Sequence, residues 1–394
     1  MEQDHRDEIK KMRALVYPWY QALADPAPAQ EAALQKLLQR YSQTEYGKEH
    51  HSDKVGSYED YKKAFPVQRY NDFKPYFDQV LAGNLSALLS EPPVVFAFTK
   101  GTTGKSKLLP ITQTRFDYYY EETLRERYSY SLYKNDFEWS KGNVLIFISS
   151  PKLGKTKVGD KEYDYGYSAA VFSAAESNNE ATRMKRIPSW DELATLSQGV
   201  STKETWEERY ELAYQKALGK NISMLAAMPS NAIGFGRYLY QKYNVYPKDL
   251  WQIKRMKTGG YPGVHSHLLP NLRALYGRSF AVRDMYISTE GTYGVQMDDR
   301  KAWSPFYDHL FFEVQTIDGI KPLHKMYPGE MGSLIVSTLE MPRYRIGDLI
   351  IAFEAPYFRC IGRENTELHP YSFGKLSGKS LLSMPESEKL DTWR

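Results

Sequence analysis

Short apolar runs separated by polar segments of helical period give this chain its first outline. The apolar, β-prone runs fall at residues 94–98, 143–149, 222–226, 280–287, 309–315, 333–338 and 349–353. Their length and composition suit buried strands. Helical periodicity occupies residues 5–23, 29–41, 114–133, 204–218, 230–243 and 265–276, with Leu34, Leu37 and Leu38 recurring on one side of the second segment. The alternation of strand and helix predicts an α/β architecture. The first two helices form a helical opening over residues 1–45. After residue 305 strands follow one another without helices, which predicts a smaller β-rich subdomain over 305–362. The Gly/Lys-rich stretch 150–164 reads as a mobile loop.

Composition narrows the class. A chain of 394 residues, 42% hydrophobic and 25% charged, buries a large core in the ordinary globular manner. Its single cysteine, Cys360, excludes an internal disulfide and reads as a small strand residue. The opening Met1-Glu2-Gln3-Asp4-His5-Arg6 is too charged for a secretory signal. No apolar run approaches the roughly 20 residues of a spanning helix. These features predict a soluble, cytoplasmic chain with no membrane partner. A net charge of +4 is too small to imply nucleic acid, and no basic stripe with interleaved aromatics is present. His50-His51 and His265-Ser266-His267 lack a further ligand at recognisable spacing, so no structural metal site is expected.

The candidate chemistry begins at Phe98-Thr99-Lys100-Gly101-Thr102-Thr103-Gly104-Lys105-Ser106-Lys107, which leaves the end of the 94–98 strand. Gly101 and Gly104 allow positive φ and close approach of backbone N–H groups to an anion. Thr99, Thr102 and Thr103 add hydroxyl donors, and Lys107 adds charge. Gly104-Lys105-Ser106 would end a Gly-x-x-x-x-Gly-Lys-Ser/Thr phosphate loop, but its first glycine falls at Thr99. A polar hairpin loop is the bland alternative.

Thr99 to Lys107 resembles instead the Thr/Ser-Ser-Gly-Thr-Thr-Gly-x-x-Lys loop of adenylate-forming enzymes, with Lys100 where serine is usual. Three further segments resemble that superfamily in the right order: Met285-Tyr286-Ile287-Ser288-Thr289-Glu290-Gly291, Arg343-Tyr344-Arg345-Ile346-Gly347-Asp348 and Gly362-Arg363-Glu364-Asn365. The last has Asn365 in place of the usual hinge aspartate. Within the superfamily the chain is most similar to the plant-hormone-conjugating acyl acid amido synthetases and their microbial relatives. Phe98 to Pro110, Tyr286 to Gly294, and Gly329 to Thr338 leading to the doubled Arg-Tyr-Arg carry that resemblance.

The resemblance implies a large adenylate-forming amino-terminal domain, with β-sheets layered between helices, over residues 1–365. It also implies the site. Thr102, Lys107, Thr289 and Glu290 would act on the reacting phosphate, with Glu290 holding Mg²⁺. Thr99, Gly101, Thr103, Gly104, Ser288 and Arg363 would bind nucleotide. Tyr286 would stack on adenine opposite Gly259, Gly260 and Tyr261, and Asp348 would accept from both ribose hydroxyls. The 114–133 helix would help wall an acyl pocket, so that Arg125, Arg127 and its tyrosines meet the acid, although aromatic packing on one helix face explains the tyrosines equally well.

The implied activity is ATP- and Mg²⁺-dependent activation of a carboxylic acid as acyl-adenylate, followed by transfer to an amine. A thioester-forming acyl-CoA ligase and a non-catalytic nucleotide-binding paralogue acting with a partner remain alternatives. Family members continue past the hinge into a mobile lid domain, whereas 31 residues follow Arg363 here. The expectation is that residues 366–394 stand in place of a full lid, through truncation or because a partner protein supplies it.

Overall fold

A computed structural model of the chain describes residues 2–99, 107–137, 142–177, 184–194, 196, 203–259 and 264–364. They divide into two compact units. One comprises the described residues within 2–133, 155–164 and 286–364; the other is built from those within 134–154 and 165–285.

The second unit carries five parallel strands in the order Arg186–Ile187, Asn143–Phe147, Ile222–Ala227, Arg255–Gly259, Ala281–Ile287. Parallel strands are covered on both faces, which explains the nearly unbroken apolar run Ile222-Ser223-Met224-Leu225-Ala226-Ala227. Helices Lys203–Ala217, Pro229–Tyr243 and Leu269–Tyr276 belong to this unit. Leu145, Phe147, Leu225, Phe235, Trp251, Met256 and Phe280 form its core.

The first unit opens with helices Glu2–Ala24 and Pro26–Tyr41 and ends in a five-stranded antiparallel sheet. Its strand order is Gly319–Pro322, Phe311–Thr316, Met331–Ser337, Tyr344–Ala352, Phe358–Arg363. Leu37, Tyr41, Tyr61, Phe65, Phe73 and Leu109 pack with Phe311 and Tyr344 in one core. The abundant tyrosines are largely explained here. Tyr41 donates its hydroxyl to the Thr338 carbonyl, and the Tyr61 hydroxyl pairs with Ser337 Oγ at 2.7 Å, so buried phenols keep polar partners.

The stretch read as a mobile loop is a hairpin. Strands Gly154–Val158 and Lys161–Tyr167 turn at Gly159-Asp160, and the second lies beside Pro93–Thr99. Two features hold it. Tyr163 meets Phe96 edge-on with ring centroids 5.6 Å apart, and Lys155 pairs with Glu162 at 3.1 Å. Its polar residues alternate with half-buried ones, a two-residue period that the lysine and glycine content obscures.

His309 lies fully within the first unit. Its Nδ1 is 3.1 Å from Glu122 and its Nε2 3.5 Å from Glu121, while Asp308 and Arg125 also face it and Tyr118 stacks on the ring at 4.1 Å. Burial alone would lower the imidazole pKa, yet the hydrogen bonds to Glu121 and Glu122 with the charge of Asp308 carry it up to about 9. A histidine raised above its ordinary value stabilises the fold fully below pH 6.5 and loses that contribution as pH rises through about 9. His309→Gln is therefore expected to destabilise the protein by on the order of 3 kcal/mol at pH 6 and much less at pH 9.5. Urea unfolding at the two pH values checks this, and a gap that does not narrow would contradict it.

Candidate active site

The strands Pro93–Thr99 and Lys107–Thr112 are antiparallel, with Phe98 opposite Leu108 and Thr99 opposite Lys107. Thr99 and Lys107 thus form the pair on either side of the glycine- and threonine-rich segment 100–106. Gly101, Thr102, Thr103 and Gly104 lie outside the described residues, as do Gly260 and Tyr261.

Lys107 and Glu290 come together. The Lys107 ammonium is 3.5 Å from Glu290 Oε1 and sits 4.0 Å from the centroid of the Tyr70 ring. Tyr344 donates its hydroxyl to the same Glu290 oxygen at 3.2 Å. Burial, then the charge of Glu290, hold the Tyr344 phenol well above its ordinary pKa, so it remains a donor. The carboxylate is presented by a tight turn in which Ser288 N–H donates to the Gly291 carbonyl at 2.9 Å and Glu290 N–H to Ser288 Oγ at 3.1 Å. Ser288 Oγ also pairs with the Tyr293 hydroxyl at 2.6 Å. Thr289 is buried.

A second constellation surrounds Asp348. Ser333 pairs with Leu349 and Ile335 with Arg345, so Ile346, Gly347 and Asp348 stand opposite Leu334 alone. This bulge turns at Gly347, whose φ of 88° favours glycine, and it aims the Asp348 carboxylate out of the regular ladder. Asp348 Oδ2 accepts from the Tyr286 hydroxyl and Oδ1 from Arg363 Nη1, both at 2.6 Å. Burial and the neighbouring carboxylate hold the Tyr286 phenol well above its ordinary pKa. One face of the Tyr286 ring stacks on Trp303 at 4.8 Å and 21°. Gly259 closes its strand in the second unit, in register with Met285.

Arg125, expected to face the acid, is 2% exposed and bound by Asp308, 183 positions away in sequence, at 2.7 Å and by Glu121, one helical turn before it, at 2.6 Å. Arg127 is likewise buried, at 6% exposure. Sequence reasoning gave no role to Tyr70, Tyr344 or Trp303. Tyr344 stands inside a motif already quoted, but nothing local marks its hydroxyl as a partner of Glu290. Trp303 is brought to Tyr286 by its backbone pairing with Phe358, a long-range contact.

Among the described residues no group of three or more His, Cys, Asp and Glu side chains could hold a metal ion. A single carboxylate still suits Mg²⁺, which commonly takes one or two and completes its shell with phosphate oxygens and water. Glu290, 3.5 Å from Lys107 and two residues after Ser288, would be such a donor. Nor is any helix among the described residues long and apolar enough to cross a membrane.

The chain resembles known proteins in sequence and in fold. Residues 19–244 match the GH3 family N-terminal domain. A jasmonoyl–L-amino acid synthetase of Nicotiana attenuata is 30% identical over 138 residues, 34% of this chain and 23% of that protein. An indole-3-acetic acid-amido synthetase of Arabidopsis thaliana is 32% identical over 138 residues, 33% of this chain and 22% of that one. The matched stretch is thus under a quarter of either curated relative. Among solved structures, the acyl acid amido synthetase AtGH3.15 in complex with 2,4-DB superposes with a TM-score of 0.72 at 18% identity, covering 90% of this chain and 70% of that one. A 2-hydroxyisobutyryl-CoA ligase with 2-HIB-AMP and CoA gives 0.64 at 16% identity, covering 86% and 69%. These likenesses carry the mixed α/β fold of adenylate-forming enzymes, and with a family domain matched over more than half of its length the chain belongs to the GH3 family.

Proposed function

We propose that this protein activates a carboxylic acid with ATP, forming an acyl-adenylate and pyrophosphate, and passes the acyl group to an amine. The observation that carries the reading is the meeting of Lys107 and Glu290 at 3.5 Å, beside a bulge that presents Asp348. A cation and a carboxylate held together suit a nucleotide triphosphate, and a second carboxylate held apart suits its ribose. The names of two curated relatives, a jasmonoyl–L-amino acid synthetase and an indole-3-acetic acid-amido synthetase, favour amide over thioester formation.

In the first step an oxygen of the acid attacks the α-phosphorus in line, and the bond from that phosphorus to the bridging oxygen breaks as pyrophosphate leaves. Lys107, with Thr99, Thr102 and Thr103 of the loop and Thr289, would stabilise charge on the phosphate oxygens. Glu290 would hold Mg²⁺, which supplies further neutralisation of that charge when bound. Gly101 and Gly104 would let backbone N–H groups face the phosphates, with Ser288 beside them. Tyr286, whose buried ring packs against Trp303, Tyr293 and Phe358, would stack on adenine. In the second step the amine nitrogen attacks the acyl carbon, AMP leaves, and the nitrogen loses a proton. Residues 1–365 form the nucleotide- and acyl-binding body in this reading, and the protein works in the cytoplasm.

Asp348 tests the nucleotide assignment. Its carboxylate already accepts from Tyr286 and Arg363, yet two carboxylate oxygens offer about four lone-pair sites, enough to take ribose hydroxyls as well. Asp348→Ala is expected to weaken ATP and AMP binding alike, by about tenfold or more, and to leave pyrophosphate binding nearly unchanged. Calorimetry that finds AMP affinity unaltered would remove Asp348 from the nucleotide site.

A further inference from the structure

Arg115 lies in the first turn of the helix Gln113–Lys134, directly after the strand that carries Lys107, and is 3% exposed. Its Nη1 donates to Glu122 Oε2 at 3.3 Å and its Nη2 to Thr292 Oγ1 at 3.2 Å. Thr292 is fully buried and comes directly after the Ser288–Gly291 turn, two residues from Glu290. Glu122 also hydrogen-bonds Thr292 and, through Oε1, His309. Burial pushes the Glu122 carboxyl up, but Arg115, His309 and Thr292 outweigh it and hold the carboxyl below its ordinary value. The charge of Arg115 also favours the ionised form of Glu340, in the connection that leads to Tyr344, the residue whose hydroxyl holds Glu290.

One buried cation therefore sits on the helix continuing from the Lys107 strand, bonds the residue directly after the Glu290 turn, and acts by charge on the approach to Tyr344. We propose that Arg115 is a positioning residue that holds Thr292 and thereby fixes the Ser288–Gly291 turn, with Glu290, in front of Lys107. The inference rests on the reading of Glu290 as a nucleotide-facing carboxylate. A merely neutralising role, in which Arg115 only balances Glu122, is the competing account. It differs in one respect, because neutralisation needs no bond to Thr292. His309 remains to balance Glu122 when Arg115 is replaced, so the fold has a route to survive the substitution.

The experiment compares Arg115→Met, Thr292→Val and the double variant in the full chain without nucleotide, by amide hydrogen exchange. The expected result is that the Ser288 and Glu290 amides exchange about tenfold faster in each single variant, with no further increase in the double, while amides of the Met331–Ser337 strand keep their protection. Exchange at those two amides equal to wild type in Thr292→Val, or faster exchange spread evenly over the first unit, would overturn the proposal. A second arm measures ATP affinity with and without Mg²⁺. Both single variants are expected to lose most of the Mg²⁺-dependent gain and to bind AMP within about twofold of wild type. A full Mg²⁺-dependent gain in both would also overturn it. If wild-type protein fails to bind ATP at all, the adenylation reading falls, and the exchange arm still decides the role of Arg115.

Discussion

Glu290→Gln is expected to slow acyl-adenylate formation by on the order of 10²-fold while leaving the fold intact. The substitution keeps the side-chain oxygen that accepts from Tyr344 and leaves the backbone turn with Ser288 untouched. What it removes is the negative charge beside Lys107, and with it the hard ligand that Mg²⁺ would need. ATP–pyrophosphate exchange over a panel of carboxylic acids measures the step directly. Equal exchange by variant and wild type would reject the metal-holding role, and an unchanged thermal midpoint would confirm that any loss is chemical.

The other large effect concerns stability. Arg343 is 4% exposed, with φ at 47°, and its Nε and Nη2 each donate to Glu313 at 2.9 Å. Its Nη1 reaches the Phe65 carbonyl at 2.9 Å, tying the amino-terminal helical region to the sheet. Glu313 is fully buried and otherwise accepts from the Tyr58 hydroxyl at 2.8 Å. Arg343→Met leaves that carboxylate without its cation, and breaking a buried pair from one side costs about 3–5 kcal/mol. The double variant Arg343→Met with Glu313→Leu is expected to recover most of the loss, because neither charge then remains buried alone. Urea midpoints decide the matter: a single variant as stable as wild type would mean that the pair is solvated. Tyr344 follows Arg343 in sequence, so this ion pair also anchors the residue that holds Glu290.

Much of the fold was legible because its determinants are local. Apolar runs such as 94–98 and 222–226 are strands on length and composition, and they lie within Pro93–Thr99 and Ile222–Ala227. The helical period in 29–41 placed Leu34, Leu37 and Leu38 in the core. The 150–164 stretch misled because lysine and glycine content reads as a loop, while the strand period beneath it has half-buried rather than apolar inward positions. At the site, the resemblance of four short segments to the motifs of adenylate-forming enzymes singled out Lys107, Glu290, Tyr286, Asp348 and Arg363. Their partners were not legible. Trp303 reaches Tyr286 through backbone pairing with Phe358, Tyr70 reaches Lys107 from the start of the helix Tyr70–Leu81, and Arg125 is claimed by Asp308, 183 positions away in sequence. The sequence by itself determined which segments become strands and helices, and which residues have the chemistry for a nucleotide. Only the tertiary structure decided which charges are free to act and which are spent on one another, because pairing energies depend on contacts between residues that no local pattern joins.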